Sequence, residues 1–190
     1  SGVISSYNSM NKIISKEIFV KNKIKTPKFF SFKQIEFSIK KLTKIIIHKK
    51  IKFPLVVKPI NEGSSLGVKV CKNKDILFRE TKKLFKNYEQ LIFEEYIGGQ
   101  EIQVAVINGK ALGAIELVPK RLFYDYKAKY TKGAKTKHIM PARLNKKNYT
   151  EVLKIAEKTH FVLGCKGVTR SDFKFMNNKF NLLEINTQPG

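Results

Sequence analysis

Asn108-Gly109 separates two runs of alternating apolar residues, 102–107 and 111–117, and this spacing commits the chain to an antiparallel hairpin. Both central positions of so tight a turn need positive φ, which Asn and Gly reach most easily. Two further runs, 168–176 and 180–185, are joined by Asn177-Asn178 and predict a second pair of adjacent strands at the end of the sequence. Upstream, Leu55-Val56-Val57 lies between Pro54 and Pro59 and reads as a strand. A Gly/Ser loop, a strand over 68–71, a helix over 75–87 and a strand over 91–94 follow it. Ile13, Ile14, Ile18 and Phe19 recur at helical spacing and predict a helix over about 8–23, ended by Thr26-Pro27. Ile35, Ile39, Leu42 and Ile46 form a second helical stripe, and residues 148–163 an amphipathic third. Residues 120–140 show no period and read as a long surface loop, a type that is usually functional or disordered. The fold class expected is α+β with antiparallel sheets.

With 190 residues, 42% of them hydrophobic, the chain can bury the core of one compact domain or two small ones. It contains no apolar run near the ~18 residues that a membrane span needs, and its start does not resemble a signal peptide. The net charge of +23 suggests a nucleic-acid partner. Two features oppose that reading. The lysines are scattered from Lys12 to Lys179, and nearly all basic residues are Lys, whereas base readout favours Arg. A solvated basic surface, with some attraction for polyanions, accounts for the charge. Cys71 and Cys165 lack metal or disulfide spacing and read as buried free thiols of a reducing compartment. His48, His138 and His160 show no ligand or triad spacing.

Four constellations carry chemistry. The first is Lys58-Pro59 followed by Glu62-Gly63-Ser64-Ser65-Leu66-Gly67. Such a loop between strands can turn several N–H groups onto one anion, with Lys58 as a point charge. It is not a Walker loop, because the Lys precedes the glycines; an ordinary glycine turn is the alternative. The second is Glu94-Glu95-Tyr96-Ile97 with Glu101, where acids crowd a short linker in an otherwise basic chain. They can accept from sugar hydroxyls, or they cluster by chance on a solvated loop. The third is Arg170 and Asp172 on one strand, with Glu184 and Asn186 on the next. Alternation puts each pair on one face, with Leu183 and Ile185 pointing into the core. Two carboxylates and an amide suit Mg²⁺; an ion pair of Arg170 with either acid is the alternative. The segment Phe123-Tyr124-Asp125-Tyr126-Lys127-Ala128-Lys129-Tyr130 interleaves aromatics with Lys. It could stack bases or close over a nucleotide.

In this order the motifs resemble those of the D-alanine–D-alanine ligases, over the whole chain. Ser1-Gly2-Val3 through Met10-Asn11-Lys12 resembles the entry to the family's central domain, and Lys58 to Gly67 its phosphate loop. Phe123 to Tyr130 resembles its omega loop, Pro141-Ala142 the strand after it, and Glu184-Ile185-Asn186-Thr187 with Pro189-Gly190 its metal and oxyanion signature. The resemblance implies an ATP-grasp fold, two α+β subdomains whose antiparallel sheets sandwich the nucleotide. It implies residues 1–11 as the tail of an N-terminal domain, 12–93 as the central subdomain and 94–190 as a truncated C-terminal subdomain. It also implies ATP-dependent joining of two D-alanines through an acylphosphate, for peptidoglycan precursors, in the cytoplasm. Lys12 and Lys58 would hold ATP phosphates with Glu62, Gly63, Ser64 and Ser65. Glu94, Glu95, Tyr96 and Ile97 would line the adenine, with Glu95 and Ile97 backbone groups reading its edge, and Glu101 would take the ribose. Lys129 would reach the γ-phosphate. Asp172, Glu184 and Asn186 would bind two Mg²⁺ or Mn²⁺ ions. Arg170 and the Gly190 N–H would stabilise the oxyanion, and Ser64 with Tyr130 would form the network that closes the lid.

Asn11 stands where the family usually has Asp, with little effect expected. The resemblance places the group that binds the first substrate's ammonium before Ser1, and the one that holds the second substrate's carboxylate after Gly190. We therefore expect a fragment that binds ATP weakly and makes no dipeptide alone. The complete enzyme would be a homodimer without nucleic-acid or membrane partners. D-lactate or D-serine as second substrate is the near alternative, although Lys129-Tyr130 favours D-alanine. A basic nucleic-acid-binding module is the distant one.

Overall fold

The computed structural model describes residues 1–119 and 136–189. Within them the order is α1 (Val3–Met10), α2 (Lys12–Lys21), β1 (Phe29–Lys33), a 3-10 turn (Gln34–Glu36), α3 (Ile39–His48), β2 (Leu55–Pro59), β3 (Lys69–Cys71), α4 (Lys74–Leu84) and β4 (Gln90–Glu95). There follow β5 (Gln100–Ile107), β6 (Lys110–Val118), β7 (Lys137–Ile139), α5 (Lys146–Val162), β8 (Val168–Met176) and β9 (Lys179–Asn186). The chain forms two compact units, Pro27–Tyr96 and Ser1–Thr26 with Ile97–Gly190. The α+β class with antiparallel sheets is as expected. Residues 1–26 group with the second unit although they precede the first in the chain. Phe19 of α2 and Ile24 are buried in its core, which the helical stripe could not reveal.

In the unit 27–96 the sheet order is β1-β4-β2-β3, all antiparallel. Phe30, Phe32, Leu55, Val57, Leu91 and Phe93 pack beneath Leu42 and Ile46 of α3 and Leu77 and Leu84 of α4. Alternate residues, Val56 and Lys58 on β2 and Ile92 and Glu94 on β4, lie on the other face. β1 was not expected. Its Phe-Phe-Ser-Phe alternation carries a strand signal, which the neighbouring helix-ending Thr26-Pro27 and the lysines obscure. Conversely, Ile35 belongs to no α-helix and is 92% exposed; the second helix begins only at Ile39, capped by Ser38.

The second unit has the order β7-β6-β5-β8-β9. Ile102, Val104, Val106, Ala114, Phe173, Leu182 and Ile185 pack against Val152 and Ala156 of α5. The single helix expected over 8–23 is two helices broken at Asn11, whose side chain caps α2 by accepting from the Ile13 and Ile14 N–H groups. Asn and Asp cap about equally well, which explains why Asn is acceptable there. Part of the expected 120–140 loop is strand β7, paired with the end of β6. Leu183 does not point into the core. The β8–β9 register shifts between Asp172 and Phe173, pairing Phe173 with Leu182 and Asp172 with Glu184. Leu183 is therefore the extra residue of a β-bulge, and Leu182 takes the core position. Gly99, at φ +85, opens β5; a side chain there would meet the Phe175 carbonyl oxygen. Among the described residues, no helix is long and apolar enough to cross a membrane.

Candidate active site

The face of the second sheet away from α5 carries a block of polar side chains. Along β5 and β8 the register pairs Glu101 with Lys174, Gln103 with Asp172 and Ala105 with Arg170. Across to β9 it pairs Asp172 with Glu184 and Arg170 with Asn186. The bulge keeps both β9 polar residues opposite the β8 pair. Arg170 grips Asp172 as a fork, Nε to Oδ1 at 2.8 Å and Nη2 to Oδ2 at 3.1 Å. Asn186 Nδ2 stands 3.5 Å from Asp172 Oδ2. Thus the expected convergence is present, and so is the ion pair weighed as its alternative. Burial pushes the Asp172 carboxyl up from 3.8 to about 6, and the nearby Glu184 and Glu101 carboxylates add to this against the pull of Arg170. A buried carboxylate, Asp172, paired across the ladder with a half-buried one, Glu184, favours a cation, and the oxygen donors suit Mg²⁺ or Mn²⁺. Among the described residues no group of three His, Cys, Asp or Glu gathers, so the candidate rests on two acids and an amide.

In the unit 27–96, Lys58 and Glu94 form an ion pair of 3.0 Å, with side chains 10% and 3% exposed. Lys58 is therefore held by a carboxylate on the neighbouring strand, and the Glu94 side chain is turned onto it. The loop after β2 places Ser64 and Ser65 at φ 51 and 63. Two successive non-glycine residues in the left-handed region store strain, which concentrates at functional sites. Gly67 follows at φ +71, and a Cβ there would lie 2.8 Å from the Pro59 ring. Gly63 has nothing within 4 Å of a virtual Cβ, so packing within the protein does not demand a glycine. The Glu95 N–H donates to the Lys28 carbonyl and the Tyr96 N–H to the Pro54 carbonyl. Any reading of a base by Glu95 therefore falls to its carbonyl. Ile97 begins the other unit.

Lys12 is 8% exposed at the start of α2. Lys16, one turn on, is fully buried and donates to Thr26 Oγ1 at 2.7 Å, which donates to the Leu182 carbonyl. Lys16 lies on the same face of α2 as Phe19, three residues further on, which is also buried. The loop 123–130 with Lys129 and Tyr130, and Gly190, lie outside the described residues. His160 is buried against Thr169 Oγ1 at 2.8 Å, and burial lowers its pKa, which marks it as structural. Both thiols are buried and free, and burial pushes Cys71 to about 11.

Sequence reasoning missed Glu116. Its carboxylate is buried on β6 and receives the Arg143 guanidinium through Nε and Nη2, both at 2.8 Å, and Gln100 Nε2 at 3.2 Å. A charged residue inside an apolar strand run was the available signal. The Arg143 hydrogen bonds hold the Glu116 carboxyl below its usual 4.5, against the opposing effect of burial. A lowered folded pKa gives stability that is present above 4.5 and lost as pH falls through the folded value. Glu116→Gln should therefore be less stable than wild type in urea at neutral pH, with the gap narrowing on acidification. A gap that widens in acid would contradict the pairing.

This arrangement of helix-backed antiparallel sheets is an ATP-grasp fold. The family described as D-ala D-ala ligase C-terminus matches residues 18–190. A D-alanine–D-alanine ligase of Pelagibacter ubique is 56% identical over 192 residues, covering 100% of this chain and 61% of that protein. The chain thus spans about three fifths of that relative's length. The D-alanine–D-alanine ligase of Bacillus anthracis complexed with ATP has a TM-score of 0.80 at 31% identity, covering 100% of this chain and 59% of that one. VanG, a D-Ala:D-Ser ligase of Enterococcus faecalis, has a TM-score of 0.83 at 28% identity, covering 98% and 55%. The chain belongs to the D-alanine–D-alanine ligase family.

Proposed function

We propose that this chain forms the nucleotide- and metal-binding part of a cytoplasmic, homodimeric enzyme that joins two D-alanines at the expense of ATP, for peptidoglycan precursors. The observation that carries this reading is the meeting of Arg170, Asp172, Glu184 and Asn186 on one sheet face. A carboxylate is a poor electrophile. A carboxylate oxygen of the first D-alanine attacks the γ-phosphorus of ATP, the bond from phosphorus to the bridging oxygen breaks, ADP leaves with that electron pair, and an acylphosphate forms. The amine of the second D-alanine attacks its carbonyl carbon, and phosphate leaves with the bonding electrons. Asp172, Glu184 and Asn186 would hold two Mg²⁺ or Mn²⁺ ions, which would offset negative charge on the transferring group. Arg170 stabilises the oxyanion of the attack. Lys58, oriented by Glu94, and Lys12 meet phosphate oxygens. The strained Ser64-Ser65 turn supplies N–H donors, and the absence of a packing demand at Gly63 supports close approach of an anion there. Glu101 accepts from the ribose hydroxyls, and the Glu95 carbonyl reads the adenine edge.

Calorimetric titration of the 190-residue chain tests this. Saturable ATP binding that requires Mn²⁺ is expected, with no dipeptide formed when D-alanine is added. ATP binding indifferent to the divalent cation would sink the assignment. The likeness to a D-Ala:D-Ser ligase keeps D-serine as a second reading of the acceptor. Competition between D-alanine and D-serine in the complete enzyme decides it.

A further inference from the structure

Lys174 lies in the row next to the Asp172–Glu184 pair on the same face. It stands directly opposite Glu101 across the β5–β8 ladder, and its Nζ lies 3.1 Å from Glu101 Oε2. The two side chains are 20% and 14% exposed, so the pair is largely removed from solvent screening. Successive rows of a strand face are separated by roughly 6.6 Å. The Glu101 carboxylate therefore sits in the field of Asp172, and the two acids repel, as the effect of Glu101 on the Asp172 carboxyl reflects. A glutamate in that position has three side-chain torsions, and the repulsion drives it to swing away. An ammonium on one oxygen both offsets the repulsion and fixes the torsions. A carboxylate held by a single oxygen keeps the lone pairs of the other for a ligand.

We propose that Lys174 is a positioning residue that holds Glu101 by Oε2 and so presents Oε1 to the vicinal hydroxyls of a nucleotide's ribose. This rests on the reading that Glu101 accepts from the ribose. Its consequence is that ribose discrimination by this chain depends on a residue that does not touch the sugar. A vicinal diol donates two hydrogen bonds, and both reach one carboxylate only if its plane is fixed. A freely rotating Glu101 loses that two-point contact while still accepting water.

The test is the ratio of dissociation constants for 2′,3′-dideoxy-ATP and ATP, each measured with Mn²⁺ on the 190-residue chain. Wild type should favour ATP, and Glu101→Ala should abolish the preference. Lys174→Met and Lys174→Gln should reduce the ratio by on the order of tenfold, as expected for loss of a well-placed charge-assisted hydrogen bond. Lys174→Arg should retain most of it. A general charge effect of removing Lys174 moves both nucleotides alike and leaves the ratio unchanged, which would overturn the inference while leaving the ribose role of Glu101 intact. A wild-type ratio near one, or a ratio untouched by Glu101→Ala, would overturn that role and the inference with it. Circular dichroism of Lys174→Met and Lys174→Gln verifies folding. Both replace a partly exposed side chain at a strand position, and the ratio is read from whichever variant is folded.

Discussion

Glu184→Gln is expected to weaken Mn²⁺ binding by on the order of 100-fold or more while leaving the chain as stable as wild type or more so. The loss follows from the donor set. Disturbing even an outer-shell partner of a metal site typically costs ~10–100-fold in affinity, and Glu184 is one of the two acids proposed as direct ligands. The gain in stability follows from Asp172. Its folded value, about 6, lies above the ordinary 3.8, chiefly through burial and secondarily through Glu184. The unfolded chain gives up that proton more readily, so this group's contribution is fully present below pH 3.8 and falls as pH rises through about 6. Removing the Glu184 charge reduces that penalty at neutral pH. Asp172→Asn should also lose the metal, but without the stability gain, because Arg170 then loses its fork partner. Electron paramagnetic resonance of free Mn²⁺, combined with urea titration, reads both effects. Undiminished Mn²⁺ affinity in both variants would remove the basis for placing a cation here. A destabilised Glu184→Gln would show that the two acids do not oppose each other.

The largest loss of stability should come from Phe93→Ala. The Phe93 ring stacks on Phe30 at 5.0 Å and meets the edge of Phe32 at 6.0 Å. It lies on β4, which pairs with β1 on one side and β2 on the other. Truncating a fully buried Phe removes its transfer free energy and leaves a cavity, together worth ~3–5 kcal/mol. A domain's whole stability is only ~5–15 kcal/mol. The unit 27–96 should then unfold at lower urea than the other unit, and hydrogen exchange of β2 and β4 amides should accelerate while that of β5 and β8 does not. A shift below ~1 kcal/mol would mean that the surrounding side chains collapse into the space. Equal acceleration in both units would mean that they unfold together.

The antiparallel class was legible because turn chemistry and side-chain period are local. Asn108-Gly109 and Asn177-Asn178 adopt positive φ, and the strands they join pair as the spacing requires. The polar faces were legible for the same reason: Arg170 and Asp172, and Glu184 and Asn186, follow the strand period. The phosphate-loop candidate was readable as residues, whereas the strain at Ser64 and Ser65 was not, because φ depends on how the whole turn closes. Where the period is interrupted, the reading fails. The bulge at Leu183 exchanges core and edge positions, and the Asn11 cap starts a new helix inside the single one expected over 8–23, leaving the whole apolar stripe on α2.

The sequence by itself determined which strands are neighbours through short turns, which residues could offer oxygens to a cation, and which family the motifs resemble. Only the tertiary structure decided how the charges are matched. Glu94 holds Lys58, Lys174 holds Glu101 and Arg143 holds Glu116. Those partners are set by strand register and by segments far apart in the chain. In a sequence with 38 basic and 15 acidic residues, almost every acid has several possible cations, and spacing along the chain cannot choose among them. Register chooses, because one residue's slip along a strand turns a side chain to the opposite face and ends the contact.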